Sequence, residues 1–344
     1  MIPISVLLPT ANRPAMLRTA LQSIAGQTAL STVEEVVVIE NLGNRKSEDV
    51  CQEFPKLPIR YFFRDPPIPP GNIEATRDAL SRINCQRMAI LFDDDWWMPE
   101  HLENAIESFE CRADVVAACC AYLHVTGEDG YILRVGNSFV PWFATSSSCI
   151  NHRWTFTLPD LLVAGQIATA FSFMTALVDT RTWTKCTECI SHGNPYDTDR
   201  LMFVEMGRHG TVIADSRPHV YVRVHPGQED QRLTASGEGA YWWMDSTRRL
   251  LALAESESIN LRKEFETRMA NKGVTEDTLR QHCCYNNIDY LISKAIICPA
   301  NDSTRVTPMK QNVWRKLYRG FTPPILRDWV ATIRHPKSAG AVNR

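Results

Sequence analysis

The sequence predicts an α/β protein: a sheet of largely parallel strands flanked by helices, followed by a helical C-terminal part. Short β-branched runs alternate with stretches of helical spacing through the first hundred residues. The run Val36-Val37-Val38-Ile39 is apolar without alternation, as in strands buried on both faces. After Val224 the pattern turns helical.

Taken in order, Ile4 to Leu8 reads as the first strand, and Leu17, Leu21 and Ile24 recur at helical spacing behind it. Glu35 to Ile39 is the second strand, with a polar helix near Ser47 to Glu53. Strands at Ile59 to Phe63 and Met88 to Phe92 bracket a helix from Asn72 to Ile83. Asp114 to Val125 is a further core strand, while Gly136 to Arg153 is irregular and, with Trp142, Phe143 and Trp154, suits a lid or substrate wall. Leu161 to Val178 carries no charge, but Gly165, Gln166, Thr169, Ser172 and Thr175 point to a buried helix end and a core strand rather than a membrane span. Val220 to Val224 is the last strand, and helices follow at Tyr241 to Glu255, Leu261 to Ala270 and Thr275 to Ile297. The expected division is 1–228 and 229–344.

The 344 residues are 44% hydrophobic and 22% charged, which excludes a disordered chain. A formal net charge of -2 excludes a protein whose business is coating nucleic acid. The opening MIPISVLLPT has no basic n-region or small-residue cleavage site, so the expectation is a cytoplasmic protein. Eleven scattered cysteines suit reduced, buried thiols. From Lys310 to Arg344 eight basic residues face Asp328 alone, interleaved with Trp314, Tyr318, Phe321 and Trp329; this reads as an amphipathic segment for an anionic membrane surface or a partner, peripheral at the inner face of the membrane.

The strongest chemical signal is Phe92-Asp93-Asp94-Asp95-Trp96-Trp97-Met98-Pro99, an apolar strand running into three carboxylates and then a Pro-started helix. Adjacent acids repel, and a divalent cation with a phosphate-bearing ligand would compensate them. A solvated acidic turn capping the next helix is the alternative. Cys186 and Cys189 form a CxxC that His192 and His282-Cys283-Cys284 would have to complete as a zinc site; paired thiols without a role are the default.

Together with Ile4 to Pro14 and Val36 to Asn41, this acidic block resembles the nucleotide-sugar half of family 2 glycosyltransferases, which have the GT-A fold, over Ile2 to Gly227. The resemblance implies a Rossmann-like mixed sheet and a nucleoside site at Pro9, Thr10, Arg13 and Glu40, although Glu40-Asn41 stands where the family usually has two aspartates. It implies donor contacts from Asn72 and Arg77 beside Gly71 and Asp78, and from Asp93, Asp94 and Arg223. The implied ligands of Mn²⁺ or Mg²⁺ are Asp94, Asp95 and His225. Arg223 and His225 alternate to one side of a strand, so both can face one site. In Gly193-Asn194-Pro195-Tyr196-Asp197-Thr198-Asp199 the resemblance puts the catalytic base of inverting members on Asp199, with Asp197 its near rival. A carboxylate at a helix start can take the proton of an attacking hydroxyl.

The expected activity is transfer, with inversion, of a sugar from a nucleoside-diphosphate donor, UDP-linked, to a hydroxyl of a glycan or lipid-linked glycan in surface polysaccharide synthesis. A non-catalytic glycan- or membrane-binding scaffold is one alternative. A nucleotidyltransferase is another, but PTANRP is poor in the glycine and lysine of a phosphate loop.

Overall fold

The computed structural model describes residues 2–68, 73–126, 131–136, 152–169, 171–190, 194, 196–225, 227–282 and 287–297. Residues 2–297 fall within one compact unit, Met1–Ile297; the segment from Cys298, with the basic tail 310–344, lies outside the described residues.

Chain order is β1 (Ile4–Thr10), α1 (Pro14–Ala25), β2 (Val33–Glu40), α2 (Lys46–Gln52), β3 (Ile59–Phe63), α3 (Ile73–Leu80), β4 (Arg87–Ile90), β5 (Trp96–Trp97), α4 (His101–Glu110), β6 (Val115–Thr126), β7 (Tyr131–Gly136) and β8 (Arg153–Phe156). It continues with α5 (Leu158–Ile167), β9 (Leu177–Asp179), α6 (Thr180–Glu188), α7 (Asp197–Met206), β10 (Thr211–Val224), α8 (Glu229–Ser236), α9 (Glu238–Ser256), α10 (Leu261–Lys272), α11 (Glu276–His282) and α12 (Asn287–Ser293).

The strand order is β3-β2-β1-β4-β9-β6-β10-β5, with β7 beside β6 and β8 beside β10. The parallel reading holds from β3 to β4. Beyond β4 the sheet is mixed: β9 runs antiparallel to both β4 and β6, β10 parallel to β6, and β5 antiparallel to β10. The irregular segment expected from 136 to 153 ends in strands, since Trp154 lies in β8 paired with Ala214 of β10; Trp142 and Phe143 lie outside the described residues.

Two apolar layers cover the sheet. On one side α1 buries Leu17, Ala20, Leu21 and Ile24 beside Leu102 and Phe109 of α4. On the other, α5 is buried from Asp160 to Ile167, and α7, α9 and α10 pack around it. Burial on every side explains the charge-free stretch: such a helix has no solvated face to carry charge. No described helix is long and apolar enough to cross a membrane. At its start Asp160 accepts from Thr157 in a capping box and also pairs with Arg268 of α10, so a buried ion pair ties the C-terminal helices to this layer.

Candidate active site

The parallel pairing of β1 with β4 brings the chain after Ile90 beside the end of β1, with Leu91 N–H donating to the Leu7 carbonyl. The acids therefore leave the sheet next to Thr10. The Thr10 hydroxyl donates to Asp93 Oδ2 at 2.7 Å and the Ala11 N–H to the same oxygen at 3.3 Å. Asn12 takes a left-handed φ of 57°, and Pro14 opens α1, which turns Arg13 back over the acids. Its Nη1 lies 3.1 Å from both Asp93 Oδ1 and Asp94 Oδ2.

The short strand β5 pairs with β10 at Val220 and Tyr221, so the end of β10 passes the same acids. The Arg223 N–H donates to Asp95 Oδ1 at 3.0 Å and its Nε to the Asp94 carbonyl at 3.2 Å. His225 Nε2 stands 3.0 Å from Asp94 Oδ2. The Arg223 guanidinium lies 5.0 Å over the Trp96 ring, itself stacked on Tyr221 at 5.2 Å. Burial, and then the charge of Asp94, push the carboxyl of Asp93 above its usual range; the same two causes push Asp95, 2% exposed, well above it. The site is thus an acidic core under a rim of Arg13, Arg223 and His225.

The other candidates are placed less uniformly. Pro9 pairs with Ile39, and Thr10 with Glu40, in adjacent strands. Glu40 is completely buried: Tyr61 donates to its Oε2 at 2.5 Å, and its Oε1 has no hydrogen-bond partner among the described residues. A Cβ on Gly43 would lie 1.8 Å from that Oε1, so only glycine lets the following turn close over the acid. Contact between Glu40 and a ligand requires this turn to move. Arg77 donates to Glu74 and to the Thr187 carbonyl of α6, and these bonds do not join it to the acids; Asp78 binds Arg64 and Arg82. Asn72 and Gly71 lie outside the described residues.

Asp197 and Asp199 part company on α7. Asp197 is fully buried and paired with Arg249 of α9. Asp199, half-buried and two residues on, accepts the Phe173 N–H at 3.2 Å. Phe173 belongs to a short turn, Phe173–Thr175, whose Met174 carbonyl accepts the indole N–H of Trp97 at 2.9 Å. One turn of backbone thus joins Asp199 to the strand that follows the three acids.

Residues 5–165 match the sequence model of Glycosyl transferase family 2. That part of the chain is similar to family 2 glycosyltransferases. An uncharacterized glycosyltransferase of Methanocaldococcus jannaschii is 22% identical over 195 residues, covering 56% of this chain and 67% of the relative. Among solved structures, S. aureus TarS 1–349 in complex with UDP-GlcNAc superposes with a TM-score of 0.52 at 12% identity, over 85% of this chain and 73% of that one, a likeness that shows the GT-A fold.

Sequence reasoning singled out the three acids and the Arg223–His225 pair, which the structure brings together, but missed the residues that hold them. Gln228 donates to the Arg223 carbonyl and accepts from the His225 N–H at 3.4 Å, fixing the turn after β10. The Phe173 turn carries no signal in its own composition. Of the groups a divalent cation would use, Asp94 Oδ2 and His225 Nε2 are 3.0 Å apart, which is compatible with neighbouring ligands of an octahedral ion at about 2.1 Å, and Arg13 pairs with the same oxygen. Among the described residues no group of three His, Cys, Asp or Glu is arranged to hold a metal by itself. The CxxC gains no support: burial pushes the Cys186 thiol up to about 12, and His192, Cys283 and Cys284 lie outside the described residues.

Proposed function

We propose that the protein is a glycosyltransferase that moves a sugar, with inversion, from a UDP-linked donor to a hydroxyl of a glycan or lipid-linked acceptor in surface polysaccharide synthesis. The observation that carries this reading is the convergence of Thr10, Arg13, Asp93 to Asp95, Arg223 and His225 at the carboxyl ends of the parallel strands, where α/β sheets bind their ligands. UDP-GlcNAc in the TarS complex favours uridine as the donor base. Arg13 and Arg223 neutralise the diphosphate, and the rigid bonds of Thr10 to Asp93 and Arg223 to Asp95 keep the acids oriented without reorganisation during reaction. Asp94, Asp95 and His225 would hold Mn²⁺ or Mg²⁺, which when bound supplies positive charge to the leaving diphosphate.

Of the two acids on α7, Asp199 suits the base: Asp197 is spent on Arg249 and has no exposed surface, while Asp199 is half-exposed. One base activating the acceptor for attack from the side opposite the diphosphate inverts the anomeric centre.

The test is a thermal-shift panel of nucleoside diphosphates and nucleotide-sugars with and without Mn²⁺, followed by NMR of the product's anomeric configuration. A uridine nucleotide should raise the midpoint only with metal, and the product should be inverted. A retained configuration, or metal-independent shifts, would overturn the reading.

A further inference from the structure

Three residues at or just before the start of α7 reach across to α9. The Asn194 side chain donates to the Trp242 carbonyl at 2.9 Å and to Asp245 Oδ2 at 3.1 Å, while its own oxygen accepts the Tyr196 N–H at 3.0 Å. Asp197 pairs with Arg249. Arg200, fully buried, donates to the Trp243 carbonyl at 2.8 Å and to the Thr247 hydroxyl at 2.7 Å, with its guanidinium 3.8 Å over the Trp243 ring. Asp197 and Asp199, two residues apart, project from opposite sides of the helix, and Phe203 lies on the side of Asp199. On the side opposite Asp197, Asp199 holds the Phe173 N–H, and the rings of Phe203 and Phe173 are 5.7 Å apart.

The first turn of α7 is therefore clamped from both sides. A buried carboxylate costs too much to keep without a partner, so the Asp197–Arg249 pair locks the rotation of this turn, and rotation decides where Asp199 points. The pair lies at a helix start, where hydrogen bonds within the helix are fewest and outside partners decide the geometry.

We propose that α9 braces the base-bearing turn and that Arg249 is a positioning residue for Asp199. The inference rests on the reading of Asp199 as the base. It makes the helical region after 228 part of the machinery of transfer, through side chains that touch neither donor nor acceptor. The misplacement of a reacting group by a fraction of an ångström acts on turnover and leaves donor binding, carried by the β1, β4 and β10 ends, in place.

The test uses the full chain with the donor that the thermal-shift panel identifies. In Arg249→Met, kcat should fall by about tenfold or more while the donor KM stays within about twofold, and Arg249→Lys, which keeps a cation, should recover most of the loss. A kcat within about twofold of wild type in Arg249→Met, or parallel loss of kcat, donor affinity and thermal midpoint in both variants, would overturn the brace. Should the Met variant not fold, the isosteric Asp197→Asn decides on the same split between kcat and KM. Asp199→Asn is measured alongside: if it keeps turnover, the base assignment fails, whereas a dead Asp199→Asn beside a fully active Arg249→Met rejects only the brace.

Discussion

His101 opens α4 four residues after Trp97 and is completely buried, its ring stacked on that indole at 4.5 Å. Its Nδ1 is 3.8 Å from the Cys120 sulfur, its Nε2 has no hydrogen-bond partner among the described residues, and a cavity of about 10 Å³ lies beside it. Burial, with a smaller effect of His219, holds the imidazole down at about 3 against an ordinary 6.5. Below pH 6.5 the unfolded chain takes up this proton and the folded chain does not, so stability is complete above 6.5 and falls as the pH drops toward 3. The slope is about 1.4 kcal/mol per pH unit, or about 3 kcal/mol lost by pH 4.5. His101→Phe keeps the stacking, cannot titrate and gives up no bond at Nε2, so it should match wild type at pH 7.5 and exceed it by about 3 kcal/mol at pH 4.5. Urea unfolding at both pH values reads this as a midpoint difference of about 1 M at an m near 3 kcal/mol/M. Asp93 and Asp95, whose raised pKa values act in the opposite sense over this window, are common to both chains and cancel in the difference. Burial raises Asp215, but hydrogen bonds from Arg217, with His219 3.7 Å away, outweigh it and hold the carboxyl at about 2, so its stabilisation is constant over this window and is lost only as the pH falls below 3.8. Parallel pH dependence in the two proteins would refute the argument.

Asp199→Asn should lower turnover by about 10² to 10⁴, because the amide oxygen still accepts the Phe173 N–H while proton acceptance is lost; steady-state kinetics beside a thermal-shift measurement of donor binding checks this, and a loss of binding instead would make Asp199 structural. Arg268→Met leaves the buried carboxylate of Asp160 without its cation and should cost about 3 to 5 kcal/mol in urea unfolding, whereas a loss under 1 kcal/mol would show that the Thr157 capping bonds suffice. In Gly43→Ala the new methyl overlaps Glu40 Oε1, so the carboxylate must leave its seat under the turn, at a cost of about 1 to 3 kcal/mol; an unchanged urea midpoint would show that the turn yields freely.

The acidic block was legible because three adjacent carboxylates after an apolar strand have few neutral explanations, and Arg223 and His225 because strand alternation turns both to one side. The mixed half of the sheet was harder to read. β9 is three residues long and follows a buried helix, so its antiparallel place between β4 and β6 leaves no periodicity in sequence. Of the two acids of α7 the resemblance preferred Asp199, with Asp197 its near rival, and the pairing of Asp197 with Arg249, fifty-two residues later in the chain, has no counterpart in local sequence. Glu40 likewise reads as an acid available to a nucleoside until the turn at Gly43 covers it.

By itself the sequence determined the alternation of strands and helices, the likeness of residues 5–165 to family 2 glycosyltransferases, and the ends of β1, β4 and β10 as the candidate site, because each is written in residues close together in the chain. The tertiary structure alone decided which charges are paired and which are open to solvent: Asp197 against Arg249, Asp160 against Arg268, Glu40 beneath Gly43, Asp199 against the Phe173 turn. Pairing and burial are properties of what lies opposite a side chain in space, and residues separated by fifty or a hundred positions carry no local signal of meeting.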